Sequence, residues 1–191
     1  MKVFFVFLCF FSSVGLQAQH KKVEKEYPVA EERVPENAIV CLNYFSGVQS
    51  GKWLIEENET GQHFEFKGRI NSHFTSVEFT GEGDFLDVEV EVRLSEIPDS
   101  IGIAIKKLLD ERYDKIRIRK IQIQYSGKCS EVALKIRRKG LPVDSDTKFE
   151  VVARVKKKGV PTAEYEFLFS AEGALERCAV IVPRNTDILD Y

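Results

Sequence analysis

The sequence predicts an α+β protein built as tandem helix-plus-antiparallel-sheet repeats, with the helices on one face of the sheet. Three observations carry that expectation. Arg33-Val34-Pro35-Glu36 and Glu96-Ile97-Pro98-Asp99 each open a stretch whose apolar residues recur at helical spacing. Leu86, Val88, Val90 and Val92 alternate with Asp87, Glu89, Glu91 and Arg93, the period of an antiparallel strand with one solvated face. Phe79-Thr80-Gly81-Glu82-Gly83 and Phe169-Ser170-Ala171-Glu172-Gly173 end two alternating runs in the same way.

Residues 1–18 have the character of a signal peptide and stand outside the fold. Lys2 gives a positive start, Val3 to Phe11 is a compact apolar run, and Leu16-Gln17-Ala18 offers a small residue before a cut near Ala18. That run falls short of the ~20 residues of a bilayer-spanning helix, and no later stretch is long and apolar enough. The expected location is therefore outside the cytoplasm, periplasmic or secreted, with no membrane span. Residues 19–33 are charged and aperiodic (His20-Lys21-Lys22, Glu24-Lys25-Glu26), the composition of a solvated polar arm.

The first repeat covers 34–95. Pro35 suits a first helical turn and Glu36 complements the positive helix end. Ala38, Cys41, Leu42 and Phe45 form one apolar stripe, closed by Ser46-Gly47. Four strands follow, over 53–57, 63–70, 74–79 and 85–93. The second repeat covers 96–182. Ile101, Ala104, Ile105, Leu108 and Leu109 mark a longer amphipathic helix with Lys106, Lys107, Asp110 and Glu111 outside. Ile116 to Tyr125 is a strand whose alternation slips at Arg119-Lys120, the mark of a bulge. Strands at 149–155, 165–169 and 175–182 close the unit, and 183–191 is a polar tail.

The second repeat carries an insertion at about 128–147, read as a hairpin. Within it Val132, Leu134 and Ile136 alternate like an added strand. Arg137-Arg138-Lys139 and Lys156-Lys157-Lys158 are basic clusters that fit solvated turns. Beyond the leader the cysteines are Cys41, Cys129 and Cys178, an odd number in an oxidising compartment. Cys41 lies on the apolar stripe and reads as a small buried hydrophobe. Cys129 and Cys178 are the pair expected to form a disulfide, whose loop of about 50 residues would contribute about 4 kcal/mol.

Composition and motifs narrow the function. A formal net charge of −2 gives no bulk attraction to nucleic acid or an anionic membrane. With 43% hydrophobic residues the chain can bury a core. His20, His63 and His73 have no metal-ligand spacing, and no C-x-x-C, G-x-S-x-G or phosphate-cradling glycine motif occurs. No metal, cofactor or catalytic residue is expected. Acid pairs such as Glu56-Glu57 or Glu89 and Glu91 read as a wet strand face.

Certain residues carry a family resemblance. Phe64-Glu65-Phe66-Lys67, Ser76-Val77-Glu78-Phe79 and Gly83 in the first repeat, Ser95-Glu96-Ile97-Pro98 at the junction, and Ile121 to Gly127, Tyr165 to Phe169 and Gly173 in the second, resemble the PepSY-like proteins of Bacteroidetes, also described as β-lactamase-inhibitor-like (BLIP-like). The likeness spans about Val34 to Val182, and the insertion at 128–147 departs from it. It implies exported, non-catalytic modules that bind or inhibit peptidases or other envelope enzymes. It assigns no functional residue.

The residues themselves place the binding surface on the open sheet face: Glu65, Lys67, Glu89, Glu91, Gln122, Gln124, Arg154 and Glu166, with Asp87 and Glu164 beside them. Trp53, His63 and Phe74 add apolar contact for a protein or an extended peptide. The alternatives are a small-ligand carrier, with its cavity between helix and sheet, and a hydrolase with an unrecognised site.

Overall fold

Alternating sequence becomes strand almost everywhere in this molecule. The computed structural model describes residues 20–22, 25–58, 61–137 and 141–182. In chain order they form β1 (His20–Lys22), β2 (Lys25–Val29), α1 (Glu36–Leu42), β3 (Val48–Asn58), β4 (Gly61–Ile70), β5 (His73–Phe79) and β6 (Phe85–Glu91). There follow α2 (Asp99–Arg112), β7 (Lys115–Ser126), α3 (Cys129–Ile136), β8 (Lys148–Lys156), β9 (Ala163–Phe169) and β10 (Leu175–Ile181). The expected leader at 1–18 and the tail at 183–191 lie outside the described residues.

All ten strands belong to one sheet, ordered β1-β10-β9-β8-β7-β6-β5-β4-β3-β2. From β2 to β10 each neighbour is antiparallel, while β1 pairs with β10 in parallel. The register shift between Ile118 and Lys120 is the bulge expected at Arg119-Lys120. The fold is thus α+β with an antiparallel sheet.

The two longer starts are built alike. Pro35 caps α1 at φ −56° and ψ 139°, and Pro98 caps α2 at φ −56° and ψ 138°. The turn after β5 is closed by Thr80 N–H to Asp84 O (2.8 Å) and Gly83 N–H to Thr80 O (3.0 Å). The turn after β9 repeats this with Ser170 N–H to Ala174 O and Gly173 N–H to Ser170 O, both 2.9 Å. Gly83 and Gly173 sit at φ +88° and +81°, a region that favours glycine. Space demands glycine as well. A Cβ on Gly83 would lie 2.6 Å from Pro35 Cβ, and one on Gly173 would lie 2.7 Å from Ala104 Cβ. Each turn therefore presses on the helix that opens its own half of the chain.

One face of the sheet meets the helices in a single apolar cluster. Ala38 and Cys41 of α1, Ile101, Ile105 and Leu109 of α2, and Val132, Ala133 and Ile136 of α3 pack with Phe79, Val88, Ile123, Phe149, Phe167 and Phe169 from the strands. Trp53 lies in that cluster, edge-on to Phe66 at 5.4 Å and tilted against Phe79 at 5.7 Å.

Three expectations are corrected. The segment read as a solvated arm supplies strands to both edges of the sheet. Edge strands tolerate charge, and Pro28 needs no N–H on an edge, so a polar, proline-bearing run can still pair. The insertion holds the helix α3 and no added strand or hairpin. Cys129, Val132, Ala133 and Ile136 have helical spacing and face inward, whereas Leu134, on which the alternation depended, is 56% exposed. Finally, Cys129 bonds to Cys41 and not to Cys178. The helix α3 sets Cys129 near α1, with the two Cα atoms 6.0 Å apart, while Cys178 stays free on β10 beside Phe167 of β9.

Candidate functional site

Because successive side chains of a strand point to opposite faces, every apolar residue facing the helices sends its neighbours to the other side. That other side is concave. Strands β1 and β2 lie at opposite edges of the sheet, yet Lys22 and Lys25 are three steps apart in the chain, a reach of at most about 11 Å. The sheet is curled until its edges come near each other. Its helix-free face encloses a concavity of about 400 Å³, to which every strand from β2 to β10 contributes.

The lining is polar and acid-rich: seven glutamates (Glu26, Glu56, Glu65, Glu78, Glu89, Glu150, Glu166) against Lys67 and Lys120, with Ser76 and Gln122 between them. Curvature buries what alternation suggested was wet. Glu56, Glu65, Ser76, Glu89, Gln122, Glu150 and Glu166 are all buried.

Ion pairs and hydrogen bonds hold much of this charge. Lys67 Nζ reaches Glu26 Oε1 at 2.6 Å and Glu65 Oε2 at 3.0 Å. Burial alone would lower the Lys67 pKa, but Glu65 and Glu26 outweigh it and hold the ammonium above its ordinary value. The Ser76 hydroxyl donates to Glu65 Oε1. Lys120 Nζ lies 3.9 Å from Glu150, and Arg177 donates to Glu166 Oε1 at 3.0 Å.

Acids also meet acids. Register places Glu65, Glu78 and Asp87 side by side across β4, β5 and β6. Glu78, Asp87 and Glu89 each bring a carboxylate oxygen within 4.8 Å of the other two. Gln124 Nε2 donates to Asp87 Oδ2 at 3.0 Å and Glu89 Oε1 at 3.5 Å. Burial, then the charges of Asp87, Glu89, Glu65 and Glu56, pushes the Glu78 carboxyl well above the usual range.

Of the residues expected at a binding face, Glu65, Lys67, Glu89, Gln122 and Glu166 line the concavity. Gln124 stands next to it, holding Asp87 and Glu89. Glu91 is exposed and borders a smaller adjoining hollow of about 180 Å³ with Phe74. Arg154 is also exposed, in register between Arg117 and Glu164, and does not line the concavity. Trp53, expected on the surface, is 5% exposed in the helix-facing core, because its position alternates with Leu54 and Glu56. Phe74 does stand on the surface, under the Arg69 guanidinium at 3.8 Å.

The sequence reading gave Glu78, Glu150 and Lys120 no place on the binding face, and took Glu56 only as part of a wet strand face. The signal was present for two of them: Glu78 lies between Val77 and Phe79, and Glu150 between Phe149 and Val151, a lone acid flanked by two core residues.

No protein-family model matches the chain, nor does any curated protein. Among solved structures it is similar to a BLIP-like protein of Bacteroides fragilis, at 13% identity over 80% of this chain and 90% of that one, with a TM-score of 0.52. The fold is BLIP-like. A DUF2874 family protein of Bacteroides ovatus is similar at 11% identity, over 77% of this chain and 87% of its own, with a TM-score of 0.51. A protein of Bacteroides eggerthii provisionally described as periplasmic matches at 14% identity over 77% and 88%, with a TM-score of 0.50. Identities this low speak for the fold alone. Among the described residues no helix is long and apolar enough to cross a membrane.

Proposed function

We propose that this chain is an exported, non-catalytic binding module that takes a protein or an extended peptide on the helix-free face of its sheet. The observation that carries this is the acid-rich concavity, lined from nine strands by seven glutamates and two lysines. A partner segment bearing lysine or arginine would complement it, since opposed charge steers encounter and fixes register. An envelope or secreted enzyme such as a peptidase fits as the target, with inhibition following from occupancy. Support for this comes from the BLIP-like name of one structural neighbour, and support for export from the periplasmic description of another.

The same reading takes the chain as two copies of one PepSY-like unit, at 34–95 and 96–182. The matched proline caps, the matched turns, and glycines pressed against the first helix of each half support it.

Capture from the envelope fraction of the host organism tests the reading. Wild-type protein should retain a partner, and a Glu89→Gln, Glu91→Gln, Gln122→Ala triple variant should release it. Capture that persists unchanged would remove the concave face from consideration. Turnover on peptide or glycoside panels that one side-chain change abolishes would favour an enzyme instead.

A second reading rests on a separate hollow. Leu94, Gly102, Ile105, Leu109, Ile116 and Ile118 border about 360 Å³ of largely apolar space between α2 and β7. A small apolar ligand could be carried there. Displacement of a bound fluorescent fatty acid by Gly102→Leu would support it.

A further inference from the structure

We infer that the outer edge of β3 is a docking site for an extended strand of a partner protein, one that runs antiparallel to β3 and sets an acidic residue opposite Lys52. Lys52 does not line the concavity, so binding at this edge is measured apart from binding on the concave face.

On its inner side β3 pairs with β4 along Val48 to Asn58. On its outer side β2 covers only Trp53 to Glu57, the partners of Val29 to Lys25. Beyond Val29 the chain tightens into a short helical turn at Glu31–Arg33, so β2 reaches no further. Among the described residues no strand pairs with Val48 to Lys52 on that side, and all five are exposed. Their outward backbone groups are a template for one more strand. A chain that keeps the β2 register and stays extended past Val29 runs straight onto them.

Charge selects the occupant. Lys52 stands directly opposite Lys67 across β3 and β4, and like charges so placed weaken a sheet. Lys67 has its own acids, Glu26 at 2.6 Å and Glu65 at 3.0 Å. Lys52 has no ion pair among the described residues. A carboxylate on the incoming strand, directly across from Lys52, would balance that row. In this chain the next residue after Val29 is Ala30, which offers no charge.

The strand now in place is held lightly. Lys25, Glu26, Tyr27 and Pro28 are exposed, and only Val29 packs, partly buried, against the core. The ion pair of Glu26 with Lys67 joins side chains that are 38% and 39% exposed, where such pairs count for little. Pro28 lends the ladder no N–H. A longer strand would pair along Val48 to Glu57, twice the length that β2 covers, and main-chain bonds supply the affinity in strand addition.

The test is fluorescence anisotropy on the full chain with a labelled peptide that repeats Lys25 to Val29 and continues with a glutamate, then alternating threonine and valine. A second peptide carries lysine in place of that glutamate. Wild type should bind the glutamate peptide saturably and the lysine peptide several-fold more weakly. Lys52→Glu should reverse that order. Glu26→Lys loosens β2 through repulsion from Lys67 and should tighten binding of the glutamate peptide several-fold. In the complex the amides of Val48 to Lys52 should exchange more slowly with solvent. Should Lys52→Glu fail to fold, Lys52→Ala serves instead and should erase the difference between the peptides. Three results overturn the inference: no saturable binding to wild type or Glu26→Lys at millimolar peptide, the same peptide preference in wild type and the folded Lys52 variant, or unchanged exchange at Val48 to Lys52.

Discussion

Phe149 and Glu150 are neighbours on β8, 0% and 3% exposed, and they face opposite ways. Phe149 packs among aromatic and aliphatic side chains under the helices, where burial is favourable in itself. Glu150 is as deeply enclosed, but by other polar groups on the inside of a curled sheet. Burial there is a cost, and ion pairs and hydrogen bonds offset it group by group. Equal exposure thus hides opposite energetics. The helix-covered face stabilises the fold, and the concave face draws on that stability to hold charge in place.

Substitutions can break this comparison. Phe149→Ala should cost about 3–5 kcal/mol in a urea titration, because both transfer energy and a cavity are involved. A loss under about 1 kcal/mol would mean that the helix-facing core is loosely packed. Replacing Cys41 and Cys129 together with alanine unties α1 from α3 on the same face. The expected loss is about 2–4 kcal/mol, read as the gap between the oxidised wild type and the variant. Cys178→Ala should leave that gap unchanged, because its thiol is free.

The concave face should respond more weakly and with mixed sign. Arg177→Ala removes a donor from the buried Glu166 and should cost about 1–3 kcal/mol. Glu78→Gln should act in the other direction. The folded-state pKa of Glu78 lies above its ordinary value of 4.5, so its protonated form favours the fold. That contribution is complete below about pH 4.5 and is lost as pH rises through the folded pKa. The variant should therefore melt above wild type at neutral pH, and the two should converge in acid. A gap that stays constant with pH would show that Glu78 is not held protonated by its surroundings.

Much of this was legible in the chain. Period-two runs located strands β3 to β10, and the Pro35 and Pro98 starts located α1 and α2. Residues such as Glu65, Glu89, Gln122 and Glu166 were assigned to the right face, since alternation fixes the side on which a residue lies. Whether that side is wet was not legible. Exposure depends on how far the sheet curls, which is the accumulated twist of many strand pairs packed under three helices. The short insertion was ambiguous for another reason. Val132, Leu134 and Ile136 satisfy a strand period while Cys129, Val132, Ala133 and Ile136 satisfy a helical one, and only packing over β6 and β7 decides between them. Disulfide choice is likewise a matter of which cysteines meet in space.

Local order in the residues, then, determined the kind of strands β3 to β10 and of helices α1 and α2, and which way their side chains point, because both follow from spacing along a few neighbouring positions. Tertiary structure alone decided that β1 and β2 take opposite edges and that Cys41 meets Cys129. Those outcomes join parts of the chain far apart in sequence, and their energies arise only when the whole sheet has closed on itself.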